Sequence, residues 1–324
     1  MAPYFVEGSQ PVTDLSIIVV SWNTKDLLAD CLNSVIANSR DLSLQIIVVD
    51  NGSADGSAAM VRSKFSNVQL IENQANLGFA AANNLALPLC TAEYVLLLNP
   101  DTRIIGQALS ILAEFLREHP QVGAVGPKVV HPLSRFRTLS CGHQPTIRTV
   151  FNHYFFLSRL FPESPAFRGY QLLMGVHDRE PRAVEWLSGV CLMVRRQVIE
   201  QVGPLREDWF MYAEDLEWCE RISAGGWELV HVPAAIVEHH QGASVQQNEA
   251  VHTMWVQSLK QYFVMRTQAT HLQSLVFSMV LSMGLLFRAV LYWGQGLVAR
   301  QDRRMWQAES RRFWAYALAA LQRS

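Results

Sequence analysis

Three apolar runs constrain this chain more than anything else in it: Leu15–Val20 (LSIIVV), Gln45–Asp50 (QIIVVD) and Tyr94–Asn99 (YVLLLN). Nearly continuous apolar runs, without polar alternation, are what strands require when both faces of a sheet are covered. Helical periodicity separates them, over Asp26–Ala37, Ser57–Phe65, Phe79–Leu87 and Gln107–Glu118, with a further strand at Val68–Glu72. The βαβ alternation predicts a parallel sheet with right-handed crossovers and helices on both faces. In such sheets ligands bind beyond the carboxyl ends of the strands, so the polar residues that finish each run are the ones to inspect.

Length and charge narrow the rest. A chain of 324 residues suits one large α/β domain with an appended segment, or two modest domains. A net charge of −1 gives no global attraction to nucleic acid. The charges are unevenly spread, however. From Lys260 onward there are nine Lys or Arg residues against only Asp302 and Glu309, a basic and apolar end of the kind that faces a membrane. Five scattered cysteines without CxxC spacing argue against a disulfide framework and a thiolate zinc site. The opening residues, MAPYFVEGSQPVTD, lack a charged segment leading into an apolar core, which predicts a cytoplasmic location.

Each early strand ends in polar residues: Ser21-Trp22-Asn23, Asp50-Asn51-Gly52-Ser53 and Asn99-Pro100-Asp101. A carboxylate just past an apolar strand suits a ribose, a base edge or a metal, although Asp is also a common turn former and helix cap. Asn76-Leu77-Gly78-Phe79 opens a helix and can present backbone N–H groups to an anion, or simply cap that helix. Asp101 follows YVLLL, where a divalent cation such as Mg²⁺ or Mn²⁺ can bridge protein and diphosphate with few protein ligands. Glu214-Asp215 follows an aromatic run at a helix start. There the acids either complement the helix dipole or supply a general base whose pKa burial has raised. His239 and His240 end a short strand, as metal ligands or as ordinary surface histidines.

Taken together and in order, these pieces resemble the family 2 glycosyltransferases, inverting enzymes of the GT-A fold. The resemblance rests on Val20-Ser21-Trp22-Asn23, Asp50-Asn51-Gly52-Ser53 with Asp55-Gly56, and Asn76-Leu77-Gly78-Phe79 with Asn83. It continues through Asn99-Pro100-Asp101, Trp186-Leu187-Ser188-Gly189, Glu214-Asp215-Leu216-Glu217, and His239 with Gly242 and Ser244. It covers about Leu15 to Ser244 and is nearest the rhamnosyltransferase branch. The resemblance implies a GT-A, mostly parallel sheet flanked by helices, a dTDP-L-rhamnose donor and a glycan or polyprenyl-diphosphate-linked acceptor. It also implies Asp50 at the nucleoside, and Ser21, Asn23, Asn76, Gly78, Asn99 and Trp186 around the donor. Asp101 and His239 would hold the metal, and Asp215, with Glu214 beside it, would be the catalytic base. Asn99 departs from the pattern, since many relatives carry Asp there in a DxD motif. UDP-hexose or UDP-galactofuranose donors are the alternatives, as is a catalytically silent sugar-nucleotide-binding scaffold. A nucleotidyltransferase is disfavoured, because Ser21-Trp22-Asn23-Thr24 stands where a Gly-rich basic loop belongs.

The expected layout is an extension over 1–14, a catalytic domain over 15–250 and a helical segment over 251–324. Residues 132–182 are read as a variable insertion on the acceptor side, followed by a strand over Val184–Val194, a helix over Asp215–Ala224 and short strands over Trp227–His231 and Ile236–His239. Leu272–Val298 is long enough to cross a bilayer. Its polar residues Ser274, Ser278, Ser282, Arg288 and Gln295 lie on one face, and Trp293, Trp306 and Trp314 suit an interfacial belt. Arg288 in mid-segment and the basic cluster after it disfavour a full crossing and predict an interfacial or re-entrant helix on an anionic membrane surface, peripheral or monotopic, at the cytoplasmic face. Packing on the catalytic domain or in a homodimer is the competing use of that helix.

Overall fold

The apolar runs form the centre of a nine-stranded mixed sheet in a computed structural model, which describes residues 14–131, 141–172, 179–240, 249–298 and 302–322. β1 (Leu15–Ser21), β2 (Leu44–Asp50), β3 (Val68–Glu72) and β4 (Tyr94–Leu98) are parallel, in the order β3-β2-β1-β4. α1 (Lys25–Ala37), α2 (Ser57–Lys64) and α3 (Phe79–Ala86) connect them. The register Ser21↔Asp50 sets two polar strand ends side by side.

Beyond β4 the sheet turns antiparallel. β5 (Thr102–Ile105), α4 (Ala108–Glu118) and β6 (Val122–Val130) come next in the chain, and β7 (Cys141–Gly142) and β8 (Arg182–Ala183) are two-residue strands. The stretch expected as one strand, Val184–Val194, is broken into β9 (Trp186–Leu187) and β10 (Cys191–Arg195), with Ser188-Gly189-Val190 as a loop between them. β10 lies antiparallel between β4 and β6. After α7 (Arg196–Val202) and α8 (Glu214–Ala224), β11 (Glu228–His239) runs as one strand where two short ones are expected. An irregularity between Val232 and Ile236 divides its pairing with β6. β11 also pairs antiparallel with β5.

α1, α2 and α4 pack on one face of the sheet, where Leu28, Leu32, Val61 and Leu112 meet Ile17, Val48, Leu96 and Met193. All of these are buried, and this apolar burial is the main stabilising term of the unit. The five cysteines are free and buried. Burial raises the thiol of Cys31 to about 12, so it stays protonated at neutral pH.

The chain divides into two compact units, 1–141 with 174–247, and 142–173 with 248–324. Much of the expected insertion therefore groups with the C-terminal helices, a different partition from a boundary at 250. It is also partly helical. α5 (Ile147–Tyr154) starts on a capping box in which Thr146 and Thr149 satisfy each other's backbone N–H, and α6 (Leu157–Leu160) follows. The N-terminal extension, residues 132–140 and 173–178 of the insertion, and Gly242 and Ser244 lie outside the described residues.

α9 (Glu249–Thr267), α10 (His271–Val298) and α11 (Arg303–Leu321) complete the second unit. α10 and α11 form an antiparallel hairpin. The Ser282 hydroxyl donates to Ala317 O at 2.8 Å, and the Ser310 hydroxyl to Ala289 O at 2.9 Å. Arg288, expected to keep α10 out of the bilayer core, turns inward: it donates to His153 O at 2.6 Å and stacks over the Tyr154 and Phe156 rings. It thereby adds a charged donor to a carbonyl at the end of α5, which also accepts from Phe156 N at 3.4 Å. Gln295 departs from the expected polar face and is exposed, whereas Ser278 and Ser282 are buried.

Gly284 sits where α10 crosses α5, and a Cβ there would lie 2.4 Å from Tyr154 Cβ. Gly284→Ala must separate the two helices, at a cost of about 1–3 kcal/mol. A lowered melting temperature by circular dichroism is the expected result, and an unchanged melt would contradict this close approach.

Candidate functional site

Every site residue read from the sequence belongs to the first unit. Asp50, Asn51 and Ser53 start from the end of β2. The Asp50 Oδ2 accepts from Ser53 N at 3.0 Å, whereas its buried Oδ1 has no hydrogen-bond partner among the described residues. A buried carboxylate oxygen left unbonded costs free energy unless a ligand or water reaches it. Ser21 and Asn23, expected at the donor, bond within the loops. The Ser21 and Thr24 hydroxyls pair at 2.9 Å, Asn23 N donates to Ser53 Oγ at 2.9 Å, and Asn23 Oδ1 accepts from Ala54 N at 2.8 Å. Asn23 holds φ 51°, a left-handed conformation that Asn tolerates better than most residues.

Asn51 ties the end of β2 to the loop that opens α3, a role the sequence does not announce. Its Nδ2 donates to Asn76 Oδ1 at 2.8 Å and to Gly78 O at 3.2 Å. Its Oδ1 accepts from Asn73 Nδ2 at 2.9 Å and from Leu77 N at 3.1 Å. Its place directly after a strand-ending Asp is the only signal the sequence offers. Gly78 has φ +87° and a Cβ there would meet Phe210 O at 2.4 Å, while Phe79 N donates to that same oxygen at 3.1 Å. The α3 loop is thus clamped between Asn51 and the loop preceding α8.

That second loop is strained. Tyr212 and Ala213 both have positive φ, 70° and 76°. Such conformations cost about 1–3 kcal/mol each and persist where the surroundings impose them, commonly at functional sites. The turn delivers Glu214 and Asp215 to the start of α8. The Asp215 Oδ2 accepts from Gly189 N at 3.0 Å and its Oδ1 from Leu216 N at 2.9 Å. Burial raises the Asp215 pKa against the opposing effect of those N–H donors. Glu214 is pushed up to about 8, by burial first and the Asp215 charge second, and its Oε2 has no hydrogen-bond partner among the described residues. Glu217 is occupied otherwise, in a two-point ion pair with Arg221 at 2.7 and 2.8 Å.

Gly189 links this wall to the strand ends. The Asn99 N–H donates to Val190 O at 2.9 Å, because β10 lies antiparallel beside β4. The pairing of β5 with β11 sets His239 opposite Thr102, and His239 Nε2 lies 3.1 Å from Asp101 Oδ1, both residues being buried. His240 contributes a backbone N–H to Asp101 O at 2.8 Å. No group of three His, Cys, Asp or Glu side chains is assembled among the described residues. A carboxylate oxygen and an imidazole nitrogen at this separation nevertheless fit a hard divalent cation that takes its other ligands from phosphate and water. Trp186 is buried in β9, and the Asn99 side-chain amide makes no hydrogen bond among the described residues.

The chain is similar to known proteins in sequence and in fold. Residues 16–174 match the model of a family described as glycosyl transferase family 2. The chain is 30% identical over 253 residues to the N-acetylglucosaminyl-diphospho-decaprenol L-rhamnosyltransferase of Mycobacterium tuberculosis, covering 74% of this chain and 80% of that protein. It is 25% identical over 214 residues to a low-salt glycan biosynthesis hexosyltransferase of Haloferax volcanii, covering 64% of this chain and 61% of the relative. In fold it is similar to a mannosyltransferase from Pyrobaculum calidifontis solved with GDP-Man and Mn²⁺. That likeness has a TM-score of 0.60 at 19% identity, over 99% of this chain and 89% of the other. The fold is that of the GT-A glycosyltransferases.

The Glu214 environment has a consequence for stability. Its carboxyl rises from an ordinary 4.5 to about 8 on folding, so between those values the folded state holds the extra proton. Stability must then fall as pH rises through that window, with a slope of at most about 1.4 kcal/mol per pH unit. Glu214→Gln should flatten the decline in melting temperature between acid and pH 8. An unchanged slope would show that the wild-type carboxyl titrates normally.

Proposed function

The chain belongs to glycosyl transferase family 2 and is a glycosyltransferase acting on a sugar-nucleotide donor; on that premise we propose that it moves L-rhamnose from dTDP-L-rhamnose to a polyprenyl-diphosphate-linked glycan. The reaction is a single inverting displacement at the cytoplasmic face of the cell membrane. The sugar and acceptor are supported by the likeness to the mycobacterial rhamnosyltransferase. The chemistry is supported above all by one observation, the unbroken run of contacts from Asp215 through Gly189, Val190 and Asn99 to Asp101 and His239.

In this reading Asp50 uses its open Oδ1 to receive a donor group of the nucleoside. Asn76 and Gly78, held by Asn51, present the α3 loop to the donor, with Asn99 and Trp186 on the same wall. Ser21 and Asn23 act at one remove, by shaping the loop that carries Asp50 and Ser53. Asp101 and His239 would hold Mg²⁺ or Mn²⁺. When bound, the cation supplies charge neutralisation to the departing diphosphate.

Asp215 accepts the proton of the acceptor hydroxyl as that oxygen attacks the anomeric carbon. The Gly189 and Leu216 N–H groups fix the carboxylate, while burial makes it more basic than a free Asp. A Glu214 held near 8 is largely neutral at pH 7, so Asp215 can ionise without an adjacent negative charge.

Asp215→Asn is expected to lower turnover by about 10²–10⁴-fold. The rise in melting temperature on adding dTDP-rhamnose with Mn²⁺ should persist in that variant. Asp101→Asn should lose the Mn²⁺-dependent part of the rise. Parallel melts with UDP- and GDP-sugars read the donor directly, since stabilisation grows with ligand concentration over its Kd. A larger shift with UDP-galactofuranose or a UDP-hexose would replace the rhamnose assignment. Undiminished turnover in Asp215→Asn would remove the base.

A further inference from the structure

The second unit is apolar on its surface as well as inside. Phe277, Leu281, Leu285 and Ala289 are buried together with Ser278, Ser282 and Gly284, while Leu272, Leu275, Met279, Met283, Val290 and Trp293 are exposed, so both faces of α10 are apolar. In a water-facing helix the outer face is expected to be polar. The apolar surface does not stop at α10. Phe155 stacks on Phe287 at 5.5 Å, and Phe151 and Leu160, on α5 and α6, are exposed. A contiguous apolar surface of this kind marks an interaction site rather than scattered surface leucines.

We propose that residues 142–173 and 248–324 form a docking platform for an anionic bilayer, with α10 lying in the plane of the headgroups and its Met279–Val290 face in the acyl boundary. The inference deepens the membrane-surface part of the function proposed above and rests on it, while standing apart from the transfer chemistry. It also gives the segment expected as an acceptor-side insertion a different task, since α5 and α6 extend the lipid-facing surface.

Charge selects the occupant. These residues carry twelve Lys or Arg against four Asp or Glu, in a chain whose totals are 27 and 28. On α11 Arg303, Arg304 and Arg311 are exposed towards one end, together with Met305, and Trp314, Leu318 and Leu321 towards the other. Basic residues bordering apolar and Trp side chains match an anionic interface. A second copy docked on the same face would instead oppose arginines to arginines.

Crossing the bilayer is disfavoured by the packing. α10 has 28 residues and mean hydropathy 2.0 over its best window, so length and composition alone would allow a span. It is bonded to α11 at Ala317 and Ala289, however, and Gly296 lies against Trp306. A crossing would carry Arg303, Arg304, Glu309, Arg311 and Arg312 into hydrocarbon with it. Arg288, anchored on the end of α5, ties α10 to a third amphipathic element as well.

The test is co-sedimentation of the full chain with vesicles of equimolar phosphatidylglycerol and phosphatidylcholine, against phosphatidylcholine alone. The wild type should bind the anionic vesicles at least roughly tenfold more tightly, less so in high salt. The pair Met279→Glu with Val290→Glu should abolish that binding. Ile36→Glu, an exposed apolar residue of the other unit, should leave it unchanged. Each variant is also melted with and without dTDP-rhamnose and Mn²⁺. A retained donor shift shows that the catalytic unit is folded, and absence of the shift in the wild type would count against the donor assignment alone. Equal binding to both vesicles, binding that survives the double substitution, or a lipid-free dimer that the double substitution splits would each overturn the platform.

Discussion

The antiparallel insertion of β10 beside β4 is the constraint on which the site depends. A purely parallel sheet would leave the end of β4 open to a crossover loop. Here the strand returns in the opposite sense, so the residues just before it, Gly189 and Val190, arrive at the carboxyl end of β4. Val190 takes the Asn99 N–H, and Gly189 gives its own N–H to Asp215. One main-chain hairpin thereby sets the distance between the carboxylate on α8 and the strand end that carries Asp101. The second antiparallel pair, β5 with β11, does the corresponding work for His239. The parallel half of the sheet supplies the nucleotide-side residues, and the antiparallel half brings the remaining groups to them.

How much of this was legible in the sequence follows from which signals are local. The parallel strands were, because double-sided burial writes an apolar run that needs no partner to be recognised. Asp50, Asp101 and the Glu214-Asp215 pair were visible as acids in places where core packing has no use for them. β5 and β6 were not marked out. β5 spans only Thr102–Ile105, with exposed Arg103 and Ile105, and its identity comes from pairing with a strand more than a hundred residues later. Val184–Val194 reads as one strand because Ser188-Gly189 interrupts it only briefly, yet that interruption is where the carboxylate is held. Asn51 was hidden for a different reason: its four hydrogen bonds go to residues 22 to 27 positions away, and a side-chain amide carries no hint of its partners.

Polarity in the second unit follows a different rule from the first. The catalytic unit hides leucine and isoleucine and shows charge. The C-terminal hairpin hides leucine, phenylalanine and alanine together with serine and glycine, and shows methionine, valine and tryptophan. The one-sided polar stripe on α10 was readable as a stripe, but periodicity cannot say which side faces the protein. Contacts to Ala317 and to the end of α5 decide it. An arginine that looks like an obstacle to lipid contact in the sequence is, in the fold, bonded to the end of α5.

The Gly189–Asp215 bond bears on how this site can drift. The donor is a main-chain N–H, so any residue except proline at position 189 supplies it equally well. What excludes other residues is room: a Cβ there meets the Phe79 ring at 3.2 Å and approaches Asp215 Cβ at 3.7 Å. Position 189 is therefore held to glycine by the size of its neighbour, not by chemistry of its own. A smaller residue at position 79 would lift the restriction, so the two positions should change as a pair in descendants of this chain, with the carboxylate between them unaltered.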